Sequence, residues 1–545
     1  MSSQEAAAPF RSLLDQSLAL RQAGRLDEAL RACDAAVQIA PGEVDGHNLK
    51  GVLLRDLGRF EPALAALDQA IRLQPSFPGS HFNRAQALLD LGRHEEALAA
   101  CDRVIAAAPQ VAAAHNGRGR ALHELKRYPE AIASFEAAIA LAPDFADARY
   151  NLGVSLRKSW RHAEALQAFD SALALGPGSA DALGNRAGAL VQLMRLDEAE
   201  AGYAEALALY AQARGSSEAF LDFDPALELD EDYGDALWAS GMVHLLRGRL
   251  ELGWRHYEWR KRNWGEDAPH FDPATAWTGA QSLEGKTLYV HFEQGLGDAI
   301  QFCRYVFPLR AMGARIVVSV HKPLKPLLAQ LEPLAMVLGD DEPVPPFDYH
   351  CAMLSLPLAF KTSLQSIPAP ERYLSAEPER RARFQAVLGP RTRPRIGIAW
   401  SGNPGHENDH NRSIPFERLA PLLSDAFEWC ALQPEVRTSD AAAFTAAPVS
   451  FYGDLLKDFA DTAALVDLMD LVVTVDTSVA HLAGAMGKPV WLLLPFSPDW
   501  RWIVGRSDTP WYPSMRLFRQ PAIGDWESVL AEVGAQLRNL SAASE

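Results

Sequence analysis

Cysteine is scarce in this chain. Five are scattered over 545 residues, with no CxxC pair and no spacing that suits a metal. An odd, dispersed set is the pattern of reduced thiols and excludes a disulfide framework. Long apolar runs are missing as well. No stretch of about 18 uncharged apolar residues occurs, so no membrane span is expected. The opening "MSSQEAAAPFRSLLDQSL" has no basic run leading into an apolar segment, so no export signal is expected and the cytoplasm is the expected compartment. Blocks of Lys and Arg are also lacking. With a formal charge of -17, the chain argues against a nucleic-acid partner, because neutralising phosphates needs clustered cations in excess. A local basic pocket stays open.

What the chain has is repetition. "GRLDEAL" at Gly24, "GRFEPAL" at Gly58, "GRHEEAL" at Gly92, "KRYPEAI" at Lys126, "WRHAEAL" at Trp160 and "MRLDEAE" at Met194 follow at a constant step of 34 residues, and Pro41, Pro75, Pro109, Pro143 and Pro177 keep that step. This period, with small residues at fixed places, resembles the tetratricopeptide repeat, two antiparallel helices per unit. Ala63, Ala97, Ala131, Ala165 and Ala199 fall where the second helix crosses the first. Leu67, Cys101, Phe135, Phe169 and Tyr203 come one helical turn later and are expected in the core, which makes Cys33 and Cys101 structural thiols. His47, His81 and His115 recur at 34 residues and read as structural too.

The phase breaks near residues 211–230, and a last unit, "DALWASGMVHLLRGRLELGWRHYEWR", follows. The expected division is a repeat superhelix of about seven units over 1–262 and a packed linker over 263–285, the latter because it holds Pro269, Pro273 and Trp277. From Lys286 strands alternate with helices: "TLYVHF", "RIVVSV", "DYHCAML", then "RIGIAW", "FEWCAL", "DLVVTV" and "PVWLLL". Such apolar runs imply parallel strands buried on both faces. "GPRTRPR", residues 389 to 395, separates two doubly wound halves, 286–388 and 389–545, facing each other across a cleft.

In open parallel sheets ligands sit where strands pass into helices, whose free N–H groups favour anions. Three turns qualify. The first holds Gly295, Gly297 and Asp298; the second holds Asn403, His406, Asn411, Arg412 and Ser413; the third holds Asp476, Thr477, Ser478 and His481. Thr477 and Ser478 suit a phosphate seat, and Asp476 and Thr477 equally suit a plain helix cap; spacing alone does not choose.

In that order, "EQGLGDAIQFCRY", "WSGNPGHENDHNRSIP", "DTSVAHLAGAMGKPVW" and "PDWRWIVGRSDTPWYPSMRLFRQ" resemble the C-terminal half of bacterial tetratricopeptide-repeat glycosyltransferases, which is similar to the heptosyltransferase-like GT-B enzymes. The resemblance implies a tetratricopeptide-repeat superhelix followed by a GT-B fold of two Rossmann-like domains, an α plus α/β chain. It implies an inverting, metal-free transfer from a nucleotide-sugar donor, with no cofactor. Asp298 then corresponds to the general base on the acceptor side. Asp476, Thr477, Ser478 and His481 correspond to the element that binds donor phosphate and sugar, with Gly295, Gly297, Asn403, Asn411 and Ser413 lining the donor site. Where that family sets a lysine against the diphosphate, this sequence offers Arg412. The chemistry is coherent: a carboxylate takes the acceptor hydroxyl's proton while a helix N-terminus and a cation stabilise the leaving phosphate. The triplets "DFD" at Asp222 and "DED" at Asp230 fall in the helical insertion and are not read as metal sites.

Asn48, Asn83, Asn116, Asn151 and Asn185 recur on successive first helices, Asn48 and Asn116 displaced by one position. Asparagine amides pair with both backbone N–H and C=O, which permits sequence-tolerant peptide binding. The row resembles the asparagine ladder of the nucleocytoplasmic O-linked N-acetylglucosamine transferase. The expectation is a protein acceptor, with flagellin as candidate and Ser or Thr as the modified residue. The rivals are a lipid- or polysaccharide-linked glycan transferase using its repeats for assembly, and a repeat-based interaction protein without chemistry.

Overall fold

The computed structural model describes residues 3–215, 223, 231–267 and 271–542; the side chains of 3–6 and 263–267, and with them Asp222, Asp224, Asp230 and Pro269, lie outside the described residues. By contact the chain divides into two compact units, Met1–Ser217 and Glu218–Glu545.

The first unit is six helical hairpins, from Ser3–Gln22 with Leu26–Ile39 to Ala180–Gln192 with Leu196–Ala213. Ala63, Ala97, Ala131, Ala165 and Ala199 are fully buried, as are Leu67, Cys101 and Phe169, with Phe135 and Tyr203 nearly so. Close crossing explains the glycines opposite them. A Cβ on Gly51 would sit 2.4 Å from Leu67 Cγ, and one on Gly119 would sit 2.5 Å from the Phe135 ring. Each first helix of the hairpins ends on a left-handed residue, which lets the following N–H bond back to the helix, as Arg59 N does to Leu54 O at 2.8 Å. Gly24, Gly58 and Gly92 fill that position first, at φ of 74°, 70° and 72°, and then Lys126, Trp160 and Met194 take it at 59°, 61° and 56°. The later three carry a strain of roughly 1 kcal/mol each that glycine avoids. His47, His81 and His115 donate from Nε2 to the carbonyls of Pro41, Pro75 and Pro109 at 2.8–2.9 Å, tying each first helix to the loop before it. Cys33 and Cys101 are buried and burial pushes both thiols up to about 12, so they pack rather than react.

The second unit carries two parallel sheets. The first is β1 Thr287–His291, β2 Arg315–Val320, β3 Ala335–Gly339 and β4 Tyr349–Ala352, in the order β3-β2-β1-β4. The second is β5 Arg395–Ala399, β6 Glu428–Ala431, β7 Val449–Ser450, β8 Leu471–Val475, β9 Val490–Leu494 and β10 Met515–Arg519, in the order β10-β9-β8-β5-β6-β7. Every residue of β5 and β8 is buried, as parallel strands covered on both faces require. β3, β7 and β10 were not among the strands read from the sequence.

The last hairpin, Glu231–Leu246 with Leu250–Tyr257, belongs by contact to this second unit, whereas periodicity assigned it to the repeats. Side chains of its second helix and of the segment Glu258–Asp267 that follows show why. Trp254 donates from Nε1 to Thr362 O at 3.1 Å and packs edge-on against Trp500 at 5.3 Å. Arg260, 2% exposed, pairs with Glu258 at 2.7 Å and Glu293 at 2.8 Å, and also donates to Ser355 Oγ at 3.0 Å. Burial alone would raise Glu258, yet Lys261 and Arg260 hold it down to about 2. Glu293 also accepts from Leu354 N at 2.9 Å, so the hairpin grips the segments leaving β1 and β4. Within the linker, Trp277 is buried, edge-on to Phe360 at 5.6 Å.

Candidate functional site

Within the second unit a cleft of ≈ 1190 Å³ is lined by the segments that leave the carboxyl ends of β1, β2, β5, β6, β7, β8 and β9. β5 lies between β6 and β8, so connections depart to opposite sides there. The crevice outside such a switch point is where open parallel sheets take ligands. The turn after β5 supplies Asn403 and Arg412, the turn after β8 supplies Asp476, Thr477 and Ser478, and the turn after β1 supplies Gly295, Gly297 and Asp298. His481 lines the cleft as well.

Asp298 sits in the first turn of the helix Leu296–Phe302; its Oδ2 accepts from Gly295 N at 2.9 Å and its own N–H donates to Gly295 O at 3.1 Å, which fixes the turn. Its Oδ1 accepts from Arg501 Nη2. Burial pushes the Asp298 carboxyl above its usual range and Arg501 pulls against that. Gly297 has a steric reason: a Cβ there would meet His481 Cδ2 at 2.8 Å.

The helix Ser478–Ala485 starts without a side-chain cap, because Thr477 Oγ1 lies 3.5 Å from Thr474 Oγ1 instead of on the helix. Its N-terminal N–H groups and dipole therefore face the cleft beside Thr477 and Ser478. Arg412 donates from Nη1 to Asp476 O at 3.0 Å and lies so close to the neighbouring turn that a Cβ on Gly402 would be 2.7 Å from Nη2. Burial, then the charge of Asp499, raise the Asp476 carboxyl to about 6, against Arg412 and Arg501. His481 stacks on Trp502 and its Nδ1 is 2.9 Å from Tyr512 Oη. Burial, with Arg501, Arg304 and Arg412 adding to it, drives the imidazole well below its ordinary value, so it is neutral.

Two residues singled out in the sequence do not line the cleft. Ser413 is buried behind it, where it donates to Asp409 Oδ1 at 2.8 Å and accepts from Gly402 N at 3.0 Å. Asn411 turns to Ser497 O at 3.5 Å. Both shape the turn after β5; they brace the wall and do not contribute to it.

Several lining residues escaped the sequence reading. Arg501, 8% exposed at its side chain, donates to Asp499 Oδ1 and Gln301 Oε1, each at 2.9 Å, besides Asp298. Arg437 donates to Gly402 O at 2.9 Å and Asp409 Oδ2 at 2.6 Å. Exposed Lys457 precedes Asp458, which caps the helix Phe459–Asp467. Only Arg501 left a trace in the sequence, an arginine between two tryptophans in "DWRW". Among the described residues no group of three or more His, Cys, Asp or Glu is placed to hold a metal ion. No helix of the described residues is long and apolar enough to cross a membrane.

In the repeat unit the asparagines pair from one hairpin to the next. Asn83 donates to Asn48 Oδ1 at 3.0 Å, Asn151 to Asn116 Oδ1 at 3.1 Å, and Asn185 to Tyr150 Oη at 3.1 Å. The bonded pairs are those 35 residues apart, so the one-position displacement of Asn48 and Asn116 brings them within reach. All five are half-buried and keep further amide groups for a ligand.

A tetratricopeptide-repeat family model matches residues 4–44, 48–112, 102–144, 116–180 and 150–214, so the N-terminal region consists of tetratricopeptide repeats. The chain is 29% identical to Protein FlbA of Caulobacter vibrioides over 57% of its own length and 56% of FlbA, so it spans about half the length of that relative. Among solved structures it is similar to MamA residues 41 to the end from Desulfovibrio magneticus (22% identity, 31% of this chain, 95% of that one, TM-score 0.29). A repeat protein of Thermus thermophilus is similar as well (25% identity, 33% of this chain, 99% of that one, TM-score 0.30).

Proposed function

We propose that the chain is a protein glycosyltransferase whose second unit has the GT-B arrangement and whose repeats hold a protein acceptor. The observation that carries this reading is the convergence on one cleft of a carboxylate after β1, Asp298, with an uncapped helix N-terminus and Arg412 after β8 and β5. Those groups match the two demands of sugar transfer from a nucleotide donor. Asp298 removes the proton of a Ser or Thr hydroxyl as it attacks the anomeric carbon. The helix N-terminus and Arg412 stabilise the charge that gathers on the leaving phosphate, with Arg437 and Lys457 on the same wall. The repeats add the asparagine row, suited to an extended backbone. Flagellin is the candidate acceptor and the cytoplasm the candidate compartment.

The test is incubation of the purified chain with flagellin and a panel of nucleotide sugars, CMP-linked nonulosonic acids included, followed by peptide mass spectrometry. A sugar-sized mass on Ser or Thr peptides supports the reading. Unchanged peptides with every donor, alongside modification of a lipid-linked glycan by the same preparation, transfer the chain to glycan assembly.

A further inference from the structure

The inference below rests on that reading and concerns how its base becomes available. Both oxygens of Asp298 are engaged, Oδ2 by Gly295 N at 2.9 Å and Oδ1 by Arg501. Pairing with a guanidinium stabilises the charged form of a carboxylate, so Arg501 pulls against the rise that burial gives Asp298 and leaves it a weaker base than it would be unpaired. The residue proposed as base is therefore held back by Arg501.

Arg501 is built to change partner. Its backbone is fixed: Asp499 caps the short turn Trp500–Trp502 by accepting from Arg501 N at 2.9 Å, and Arg519 donates to Ile503 O at 2.8 Å and Arg506 O at 2.9 Å. The guanidinium lies over the Trp500 ring, 4.1 Å from its centroid, and its Nε donates to Gln301. A small rotation about this anchored plane would change the acceptor at Nη2 without moving the loop. Charge balance favours such an exchange. Five carboxylates, Asp298, Glu435, Asp458, Asp476 and Asp499, line the cleft with three guanidinium groups, Arg412, Arg437 and Arg501, and the Lys457 amine. An entering phosphate must compete with those carboxylates for the same cations. Asp298 follows β1 of one sheet and Arg501 follows β9 of the other, so this ion pair links the proposed acceptor and donor sides.

We propose that Arg501 is a positioning residue through which donor binding frees Asp298: the leaving group's phosphate takes the guanidinium, and the released carboxylate takes the acceptor's proton. In the transfer itself the hydroxyl oxygen bonds to the anomeric carbon and the bond from that carbon to phosphate oxygen breaks. The electron pair leaves with the nucleotide, stabilised by Arg501 and Arg412, and the hydroxyl proton ends on Asp298. No oxidant, reductant or further reactant is needed.

Calorimetric titration of the full chain with CMP, UDP and GDP tests this by sign. Asp298→Asn removes the carboxylate that competes for Arg501, so the nucleotide that binds wild type should bind this variant at least about 3-fold tighter. Arg501→Gln should bind at least about 10-fold weaker, and Arg501→Lys should recover part of that loss. Loss of structure weakens binding and cannot produce the first result. Equal or weaker binding by Asp298→Asn overturns the coupling even if the Arg501→Gln chain does not fold. Wild type that binds none of the three nucleotides overturns the glycosyltransferase reading, and the coupling with it.

Discussion

The two units bury different things. Among the described residues, every buried Asp, Glu, Lys or Arg lies in the second unit: Glu258, Arg260, Arg304, Arg395, Asp409, Asp440, Asp461 and Arg501. The repeat unit buries alanine, leucine and phenylalanine, with a few serines and histidines. Taking a charge out of water costs several kcal/mol unless partners replace the water. A helical array that needs only to stack has no use for that cost. A cleft that must hold a carboxylate, two guanidinium groups and a helix N-terminus at fixed positions does. Arg304 shows how far this goes: fully buried, it donates to the carbonyls of Gln301, Pro368 and Trp511 and to Tyr373 Oη, with Tyr512 stacked 4.7 Å away.

The sharpest way to break the comparison is to remove a buried charge. Arg260→Met strands Glu258 and Glu293 and should destabilise the second unit by about 3–5 kcal/mol. Of thirteen tryptophans only Trp160 precedes residue 218, so tryptophan fluorescence during denaturant unfolding reports this unit. A midpoint equal to that of wild type would mean the ion cluster does not support the fold. On activity the largest effect expected is from Asp298→Asn, a loss of at least about 100-fold in transfer, the scale of a missing general base. Undiminished transfer by this variant removes the assignment. Arg412→Ala should weaken nucleotide binding by about 1.5–3 kcal/mol, the worth of a charge-assisted hydrogen bond, as read by calorimetry.

Asp476 sharpens the contrast through pH. Its folded value is raised to about 6, so the folded chain holds that proton after the unfolded chain has lost it. The group's contribution therefore falls as pH rises from about 4 to about 6 and stays unfavourable above that. Asp476→Asn should stabilise the second unit at neutral pH by on the order of 1 kcal/mol and flatten that part of its stability profile. The smallest effect is expected in the repeats, where Lys126→Gly or Met194→Gly relieves a left-handed residue and should stabilise by about 0.5–1 kcal/mol in thermal unfolding. Destabilisation would show that those side chains contribute more packing than strain.

The same contrast governs what could be read from the sequence. The 34-residue step located the hairpins, the core alanines and the structural histidines because each repeat makes the same contacts with its neighbours. Apolar runs located β1, β2, β4, β5, β6, β8 and β9. They did not reveal β3, nor β10, whose "MRLFR" alternates charge with apolar residues at a sheet edge, nor the two-residue β7. In the cleft, turns next to strands were legible, and Asp298, Arg412 and Asp476 line it. Arg501, Arg437 and Lys457 were not, because they come from loops whose approach depends on the folding of two sheets. Asn411 and Ser413 lay in the right turn yet face its supporting side. Periodicity also placed the last hairpin with the repeats; Trp254 and Arg260, which carry no periodic signal, tie it to the second unit.

The central claim is that one unit performs the chemistry and the other chooses the acceptor. Intact-mass spectrometry of flagellin co-expressed with the full chain tests both halves at once, using wild type, Asp298→Asn, and the triple change of Asn83, Asn151 and Asn185 to Ala. The account predicts a sugar-sized mass increase with wild type, none with Asp298→Asn, and a reduced fraction with the triple variant while its nucleotide affinity stays that of wild type. A mass increase that survives Asp298→Asn, or one that the triple variant delivers as fully as wild type, would contradict it.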